Sequence, residues 1–446
     1  MSSQKHVVII GNGISGVTTA RYIRKLSSHK ITIISSESEH FFSRPALMYI
    51  YMGHMGYENT KSYEDFFWKK NDINLVFDKV ESIDFDKTSL SMANGQEINY
   101  DELVIAVGSK TNFFGWPGQD LRGVQGLVTL QDLEELERNT KDIKSAVVIG
   151  GGLIGVEMAE MLATRRIEVT MLVRESRYWN GILPNEEAEL IGKHIESHGI
   201  RLLLESNLEE IQGDEHARVK AVKVKETGEV IDCQVVGIAT GVSPNVSFLK
   251  DSGLDIERGI MVNERLQTNI PNVYAVGDCA QFRKPKPLHP PVEQLWYTGK
   301  MHGRVCAFNI CDHDITYDRG HWYNSAKFFD VEYHTYGLMF SSTKENEETF
   351  FWSHPTKEMF FRITWDKESR AFIGINSFNH RMRHEVAEKW LIEKFTVDKV
   401  LENLGEGNFN PEFYEKPEAL IINAFNQANG TKISLKAGRK KIFGLI

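Results

Sequence analysis

The apolar positions near the start of the chain follow two rhythms in succession. Residues 7–10 (VVII) form a short unbroken apolar run, the signature of a strand buried on both faces. A glycine turn and a stretch of helical spacing come next, and a second β-rich run covers Ile31–Ile34. The same succession returns over 147–175, VVIGGGLIGVEMAEMLATRRIEVTMLVRE, ending in the β-rich run Val169–Val173. The pattern predicts a βαβ unit written twice. The repeat extends further. DELVIAVGS (101–109) follows the first copy and DCQVVGIATG (232–241) the second, each an apolar strand ending at a glycine.

From about residue 321 the texture changes. Aromatic and β-branched residues alternate with polar ones in KFFDVEYHTYGL, TFFWSHP, EMFFRITW and RAFIGINSF, which predicts a mostly antiparallel sheet, and a helical stretch over 381–404 follows. The expected architecture is α/β. Residues 1–118 and 244–320 form one Rossmann-like nucleotide-binding domain, 119–243 a second inserted in it, and 321–446 a C-terminal α+β domain with a basic tail.

Composition narrows the field. A chain of 446 residues suits two to four domains, and 41% hydrophobic with 25% charged residues is ordinary globular usage. A net charge of −9 argues against a nucleic-acid binder. Cys233, Cys279, Cys306 and Cys311 are widely spread, with no CxxC pair and no disulfide framework. Reduced thiols and a cytoplasmic setting are the expectation. No apolar stretch approaches 18 residues, and the N-terminus enters a strand too early to leave room for a signal peptide.

The glycines carry the chemistry. Gly11, Gly13 and Gly16 spell GxGxxG between strand and helix. The first glycine permits the tight turn, the second lets backbone approach a pyrophosphate, and the third lets helix and strand pack closely. The first helical turn, with Ile14 and Ser15, offers N–H groups and the positive dipole end to phosphates. Glu37 lies about 20 residues on, where an acid can bind a ribose hydroxyl. Gly150, Gly152 and Gly155 repeat the pattern, with Leu153 and Ile154 opening the helix and Glu157 on its first turn. At the end of the second strand two signals conflict. Glu175 would bind a ribose diol and favour NADH, whereas Arg174 and Arg177 would clamp a 2′-phosphate and favour NADPH. The donor is therefore NAD(P)H. A third motif, TNIPNVYAVGDCA (268–280), ends a strand at Gly277 and Asp278, where a carboxylate can accept a hydrogen bond from a ribitol hydroxyl. A helix is expected to start at about His289–Glu293, with prolines in its first turn and its dipole aimed at a reduced flavin.

The order GNGISG, ELVIAVGS, GGGLIGVE, GIATGVSPN, TNIPNVYAVGDCA resembles the pyridine nucleotide–disulfide oxidoreductase superfamily, firmly over about 5–310 and loosely over 321–415. The resemblance implies an FAD domain, an inserted NAD(P) domain and a C-terminal interface-like domain, and with the last a homodimer. It implies FAD contacts from Gly11, Gly13, Gly16, Glu37, Asp278 and neighbouring Ala106, Gly108, Gly277 and Glu293. Gly152, Gly155, Glu157 and Gly241 fall to the nicotinamide nucleotide. FFSRPALMYIYMG (41–53) is similar to the RPxL stretch of NADH-dependent ferredoxin, rubredoxin and nitrite reductase-type members, which would set Ser43, Arg44 and Pro45 along FAD and Val80 beside the adenine.

The departures matter as much. Disulfide reductases of the superfamily carry a redox cysteine just after the first βαβ unit, but residues 38–60 contain none. Cys306 and Cys311 lie five apart in a helical stretch, a spacing at which side chains do not face each other well. HPTKE (354–358) falls between two β-like segments and reads as a turn. Tyr49 stands where ferredoxin reductase relatives often place a lysine. No histidine, His40, His54, His289, His380 and His384 included, shows a compact spacing with cysteine or carboxylate partners, so no metal is expected. The tail TKISLKAGRKKIFGLI has five basic and no acidic residues, and weak docking to an acidic partner or an anionic surface is one use for it. The expected activity is electron transfer from NAD(P)H through FAD to a small acceptor or a ferredoxin- or rubredoxin-like protein, without a protein disulfide. The alternatives are a redox sensor or assembly factor, and a thiol/disulfide reductase using Cys306 or Cys311.

Overall fold

The computed structural model describes residues 4–409 and 416–436. The chain divides into two compact units, 1–174 with 206–319, and 175–205 with 320–446.

In the first unit the run VVII lies within the strand His6–Ile10, the centre of a five-stranded parallel sheet. Lys30–Ser35 and Glu102–Ile105 flank it, Ile73–Phe77 and Val273–Ala275 form the edges, and Val8 pairs with both Thr32 and Leu103. Val7, Val8 and Ile9 are fully buried, the outcome expected when helices and loops cover both faces. A second parallel sheet repeats this arrangement: Ser145–Ile149 lies between Glu168–Leu172 and Val235–Ile238, with Val124–Gln125 beyond the latter. Ser109–Thr111 and Val242–Pro244, which follow the corresponding third strands of the two copies, pair with each other antiparallel.

The helix Ile14–Leu26 packs against Trp296–Ile310 at very short range. Gly299 and Gly303, spaced GxxxG on the second helix, make the approach. A Cβ on Gly303 would lie 2.4 Å from the Ser15 carbonyl oxygen, and one on Gly299 2.7 Å from Ser15 Oγ. The expected helix start at His289–Glu293 is corrected here. That segment is irregular, with Val292 bridged to Gln281, and the helix begins at Trp296. Phe282 N–H bonds the Pro291 carbonyl beside this bridge, which holds the segment out of the helix.

In the second unit five antiparallel strands run in the order Tyr323–Phe328, Val331–Tyr336, Phe372–Phe378, Phe360–Asp366, Glu347–Ser353. Residues 354–358 connect the last two strands of that order, so HPTKE is a hairpin connection. The stretch 381–404 is not one helix. It breaks into His384–Ile392 and Val397–Glu402, because Lys394 adopts φ +50° and Thr396 caps the second helix by accepting from Lys399 N–H. Helix Asn185–Ser197, inside the expected 119–243 segment, groups with 320–446. Glu187 explains the grouping. Its carboxylate is fully buried, 2.5 Å from Arg362 Nε and 2.9 Å from Asn376 Nδ2, and a buried carboxylate cannot leave such partners cheaply.

Candidate dinucleotide sites

Each glycine turn is built by two glycines that have no room for a side chain. Gly11 has φ +111°, and a Cβ on it would sit 2.2 Å from the Ala106 carbonyl oxygen. Gly150 has φ +114°, and its Cβ would meet Ala239 O at 2.4 Å. Gly16 and Gly155 lie over the turns, each with a virtual Cβ 2.1 or 2.2 Å from the carbonyl oxygen of Gly11 or Gly150. The middle glycines differ in kind. Gly13 and Gly152 have ordinary negative φ, and nothing lies within 4 Å of a Cβ on either. They N-cap their helices without a side-chain cap, and Glu157, expected on the first turn of the second helix, lies just beyond it. A helix start without a side-chain cap, with space over its middle glycine, fits a phosphate.

The first turn is surrounded by polar anchors. Asn12 Nδ2 donates to Ser38 O at 2.8 Å. Glu37 receives Arg44 in a two-pronged pair at 2.7 and 2.8 Å and the Leu130 N–H at 2.9 Å. Arg44 also bonds the Val128 carbonyl. Glu37 and Arg44, read separately in the sequence, are thus one unit, with the carboxylate held in place beyond the second strand. Ser43 and Pro45 flank Arg44 in a single 3-10 turn, and Val80 is buried at the start of strand Val80–Asp84.

Gly277 and Asp278 close the site from the edge strand. Gly277 has φ +73°, and a Cβ there would lie 2.3 Å from Ser15 Oγ, so the Gly-Asp turn rests directly on the first helix. Asp278 accepts from Ser109 Oγ at 3.0 Å, and Gln294 Nε2 donates to the same hydroxyl at 2.8 Å. Burial pushes the Asp278 carboxyl above its ordinary value, against the opposing effect of the Ser109 hydroxyl. Gly277 N–H donates to Nδ1 of fully buried His302 at 3.1 Å. Glu293 does not face the turn openly. Its buried carboxylate accepts from Tyr317 at 2.5 Å and Arg319 at 3.2 Å, with His302 Nε2 3.7 Å away. Burial alone would raise its pKa. His302 and Tyr317 outweigh that, and the carboxyl lies below its ordinary value. Ser109, Gln294, His302, Tyr317 and Arg319 were not singled out in the sequence; only the serine ending AVGS and the GxxxG helix gave a signal.

The second turn has a carboxyl on the helix that follows it. Glu157 is half-buried beside it, and burial, helped by nearby Glu160, pushes its carboxyl up to about 8. Gly108 and Gly241 end equivalent strands, both in the left-handed region at φ +66° and +93°. Arg174 is exposed at the end of the first unit and Glu175 opens the segment grouped with the second. Arg177 lies 3.5 Å from Glu189.

All four cysteines are reduced. Cys279 and Cys306 are fully buried, and burial pushes the Cys279 thiol up to about 12 and that of Cys306 well above its usual value. No helix among the described residues is long and apolar enough to cross a membrane.

Two dinucleotide turns of one design, one of them joined to a Gly-Asp turn, define a protein built to hold a flavin nucleotide and a nicotinamide nucleotide together. The chain belongs to the pyridine nucleotide-disulphide oxidoreductase family, whose model matches residues 5–303. It is 35% identical to an NADH oxidase of Methanocaldococcus jannaschii over 292 residues, 61% of this chain and 63% of that protein. It is 31% identical to the Bacillus subtilis nitrite reductase [NAD(P)H] over 283 residues, 63% of this chain and 35% of that protein. The matches therefore span less than two thirds of either relative. Among solved structures, a ferredoxin reductase from Rhodopseudomonas palustris superposes with TM-score 0.77 at 25% identity, covering 94% of this chain and 99% of that one. FAD and NAD(P)H are the cofactors of the family, and the helix starts without side-chain caps, the open space over the middle glycines and the Glu37 and Asp278 carboxylates fit them.

Proposed function

We propose that this chain is an FAD-dependent NAD(P)H oxidoreductase that delivers electrons to a protein or small-molecule acceptor without an active-site disulfide. The observation that carries the reading is the pair of open glycine turns in a chain with no cysteine over residues 38–60. In this reading 1–118 and 244–320 hold FAD, and 119–243 provides the NAD(P)H turn. The first-turn N–H groups of Ile14, Ser15 and Gly16 bind the FAD pyrophosphate. Glu37, braced by Arg44, takes the adenosine ribose, and Asp278, braced by Ser109, takes the ribitol. Leu153, Ile154 and Gly155 do the same for the nicotinamide nucleotide. Bound FAD would supply the redox chemistry between NAD(P)H and the acceptor. The protein's share is to orient the two nucleotides and exclude competing thiol chemistry.

A ferredoxin- or rubredoxin-type acceptor is the favoured partner, supported by the likeness to a ferredoxin reductase over nearly the whole chain. Cys306 and Cys311 are poor redox candidates, because the buried Cys306 thiol and the half-buried Cys311 thiol both have raised pKa values and furnish little thiolate. Anaerobic stopped-flow with the flavin-loaded protein tests the reading. NADH or NADPH should bleach the flavin, and Cys306→Ser/Cys311→Ser should do so at the wild-type rate. A flavin that neither nucleotide reduces would sink the proposal, and loss of acceptor turnover in the double variant would move it to a thiol reductase. The basic tail lies mostly in residues 437–446, outside those described.

A further inference from the structure

We infer that the second unit carries a binding site for a zinc-type divalent cation, formed by His194, His198 and Asp330 and distinct from both dinucleotide turns. His194 and His198 stand four apart at the C-terminal end of helix Asn185–Ser197 and share one face. Asp330 sits on the two-residue turn between strands Tyr323–Phe328 and Val331–Tyr336. One ligand atom from each of the three lies within 4.8 Å of the others. Asp330 Oδ1 is 2.8 Å from His194 Nε2 and 3.4 Å from His198 Nε2. Tetrahedral bonds of about 2.0–2.1 Å separate ligand atoms by about 3.3 Å, so a modest opening of the first distance accommodates the ion.

The outer contacts orient both imidazoles for metal. His198 Nδ1 is 2.9 Å from the His194 carbonyl oxygen, which fixes the proton on Nδ1 and turns the Nε2 lone pair toward Asp330. His194 Nδ1 is 2.9 Å from Glu358 Oε2, a carboxylate–histidine contact of the kind that orients a metal ligand. Two Nε2 atoms and one carboxylate oxygen then converge, and a cation would take the place of the proton between His194 and Asp330. His194 is 95% buried, with the Glu358 and Asp330 carboxylates at its two ring nitrogens. A buried imidazole set against a carboxylate and a second imidazole offers a cation three ligand atoms in one place. Phe329 stacks on His198 at 4.4 Å and holds φ +51°, a conformation bulky residues rarely adopt, and so presents Asp330 to the helix. Two nitrogens and one oxygen suit zinc over magnesium or calcium, with water in the fourth position.

The test uses the full flavin-loaded chain, stripped with a chelator and titrated with Zn²⁺ alone in a calorimeter. One equivalent should bind at micromolar or lower dissociation constant. His198→Ala and Asp330→Asn, both at exposed positions, should each weaken binding 100-fold or more, and Glu358→Gln about tenfold. Co²⁺ should give visible absorption bands that both ligand variants lose, while flavin content and reduction by NAD(P)H stay at the wild-type level. Absence of zinc uptake by the wild type, or uptake unchanged in His198→Ala and Asp330→Asn, overturns the site and leaves a plain histidine–carboxylate contact. Because the site stands apart from the flavin readout, its failure and that of the proposed function are separable.

Discussion

The two glycine turns share a backbone and differ in their surroundings. In the first, the turn is pinned from several sides. Gly277 presses on Ser15, a GxxxG helix closes over the same residue, and Ser109, Gln294, His302 and Asn12 lock the neighbouring loops. In the second, the same Gly-to-carbonyl contacts occur, and its neighbour Glu157 is a half-buried carboxyl held neutral up to about pH 8. A turn that keeps its nucleotide benefits from a rigid surround, since ordering is complete before binding. A turn whose nucleotide must leave at every cycle does not. Under the proposed assignment the first turn keeps FAD and the second exchanges NAD(P)H.

The harshest way to break the comparison is to add a Cβ where none fits. Gly11→Ala and Gly150→Ala each combine φ above +110° with a contact under 2.5 Å to a carbonyl oxygen. Each should cost about 3 kcal/mol or more in urea denaturation. Only the first should yield protein without flavin. If the Gly150 variant also loses flavin, the separate roles of the turns fail.

A gentler pair sharpens the same point. A Cβ at Gly13 or Gly152 meets no protein atom, so Gly13→Ala and Gly152→Ala should leave stability within about 1 kcal/mol. Gly13→Ala should lower flavin retention at least tenfold in an ultrafiltration assay. Gly152→Ala should keep its flavin and raise the KM for NAD(P)H about tenfold. Equal effects of the two substitutions on flavin retention would contradict the assignment.

The narrowest test concerns Glu157. Its carboxyl titrates near 8 in the folded chain and near 4.5 when unfolded, so the fold favours the neutral form. Its stabilising contribution is complete below pH 4.5 and is lost as pH rises through about 8. Glu157→Gln, always neutral, should match wild type near pH 4 and melt at higher temperature at pH 9. A difference that does not change with pH would show that the carboxyl is not held neutral.

The repeated βαβ rhythm, the glycine spacing, the aromatic alternation after 321 and the missing cysteine could all be read along the chain, because each depends on local periodicity or on a residue being present or absent. The helix start expected at His289–Glu293 went wrong for a tertiary reason. Val292 is bridged to Gln281 and Glu293 is tied to Tyr317 and Arg319, so the chain stays extended until Trp296. Glu37 and Arg44 looked like two separate ligands and are one ion pair. His194, His198 and Asp330 went unremarked because the carboxylate comes from a hairpin distant in sequence. Sequence by itself determined which backbone turns must exist, since only glycine tolerates φ near +110° against a carbonyl. Tertiary structure alone decided which side chains brace them, because those partners are brought together by sheet order and helix crossing, and no local pattern records either.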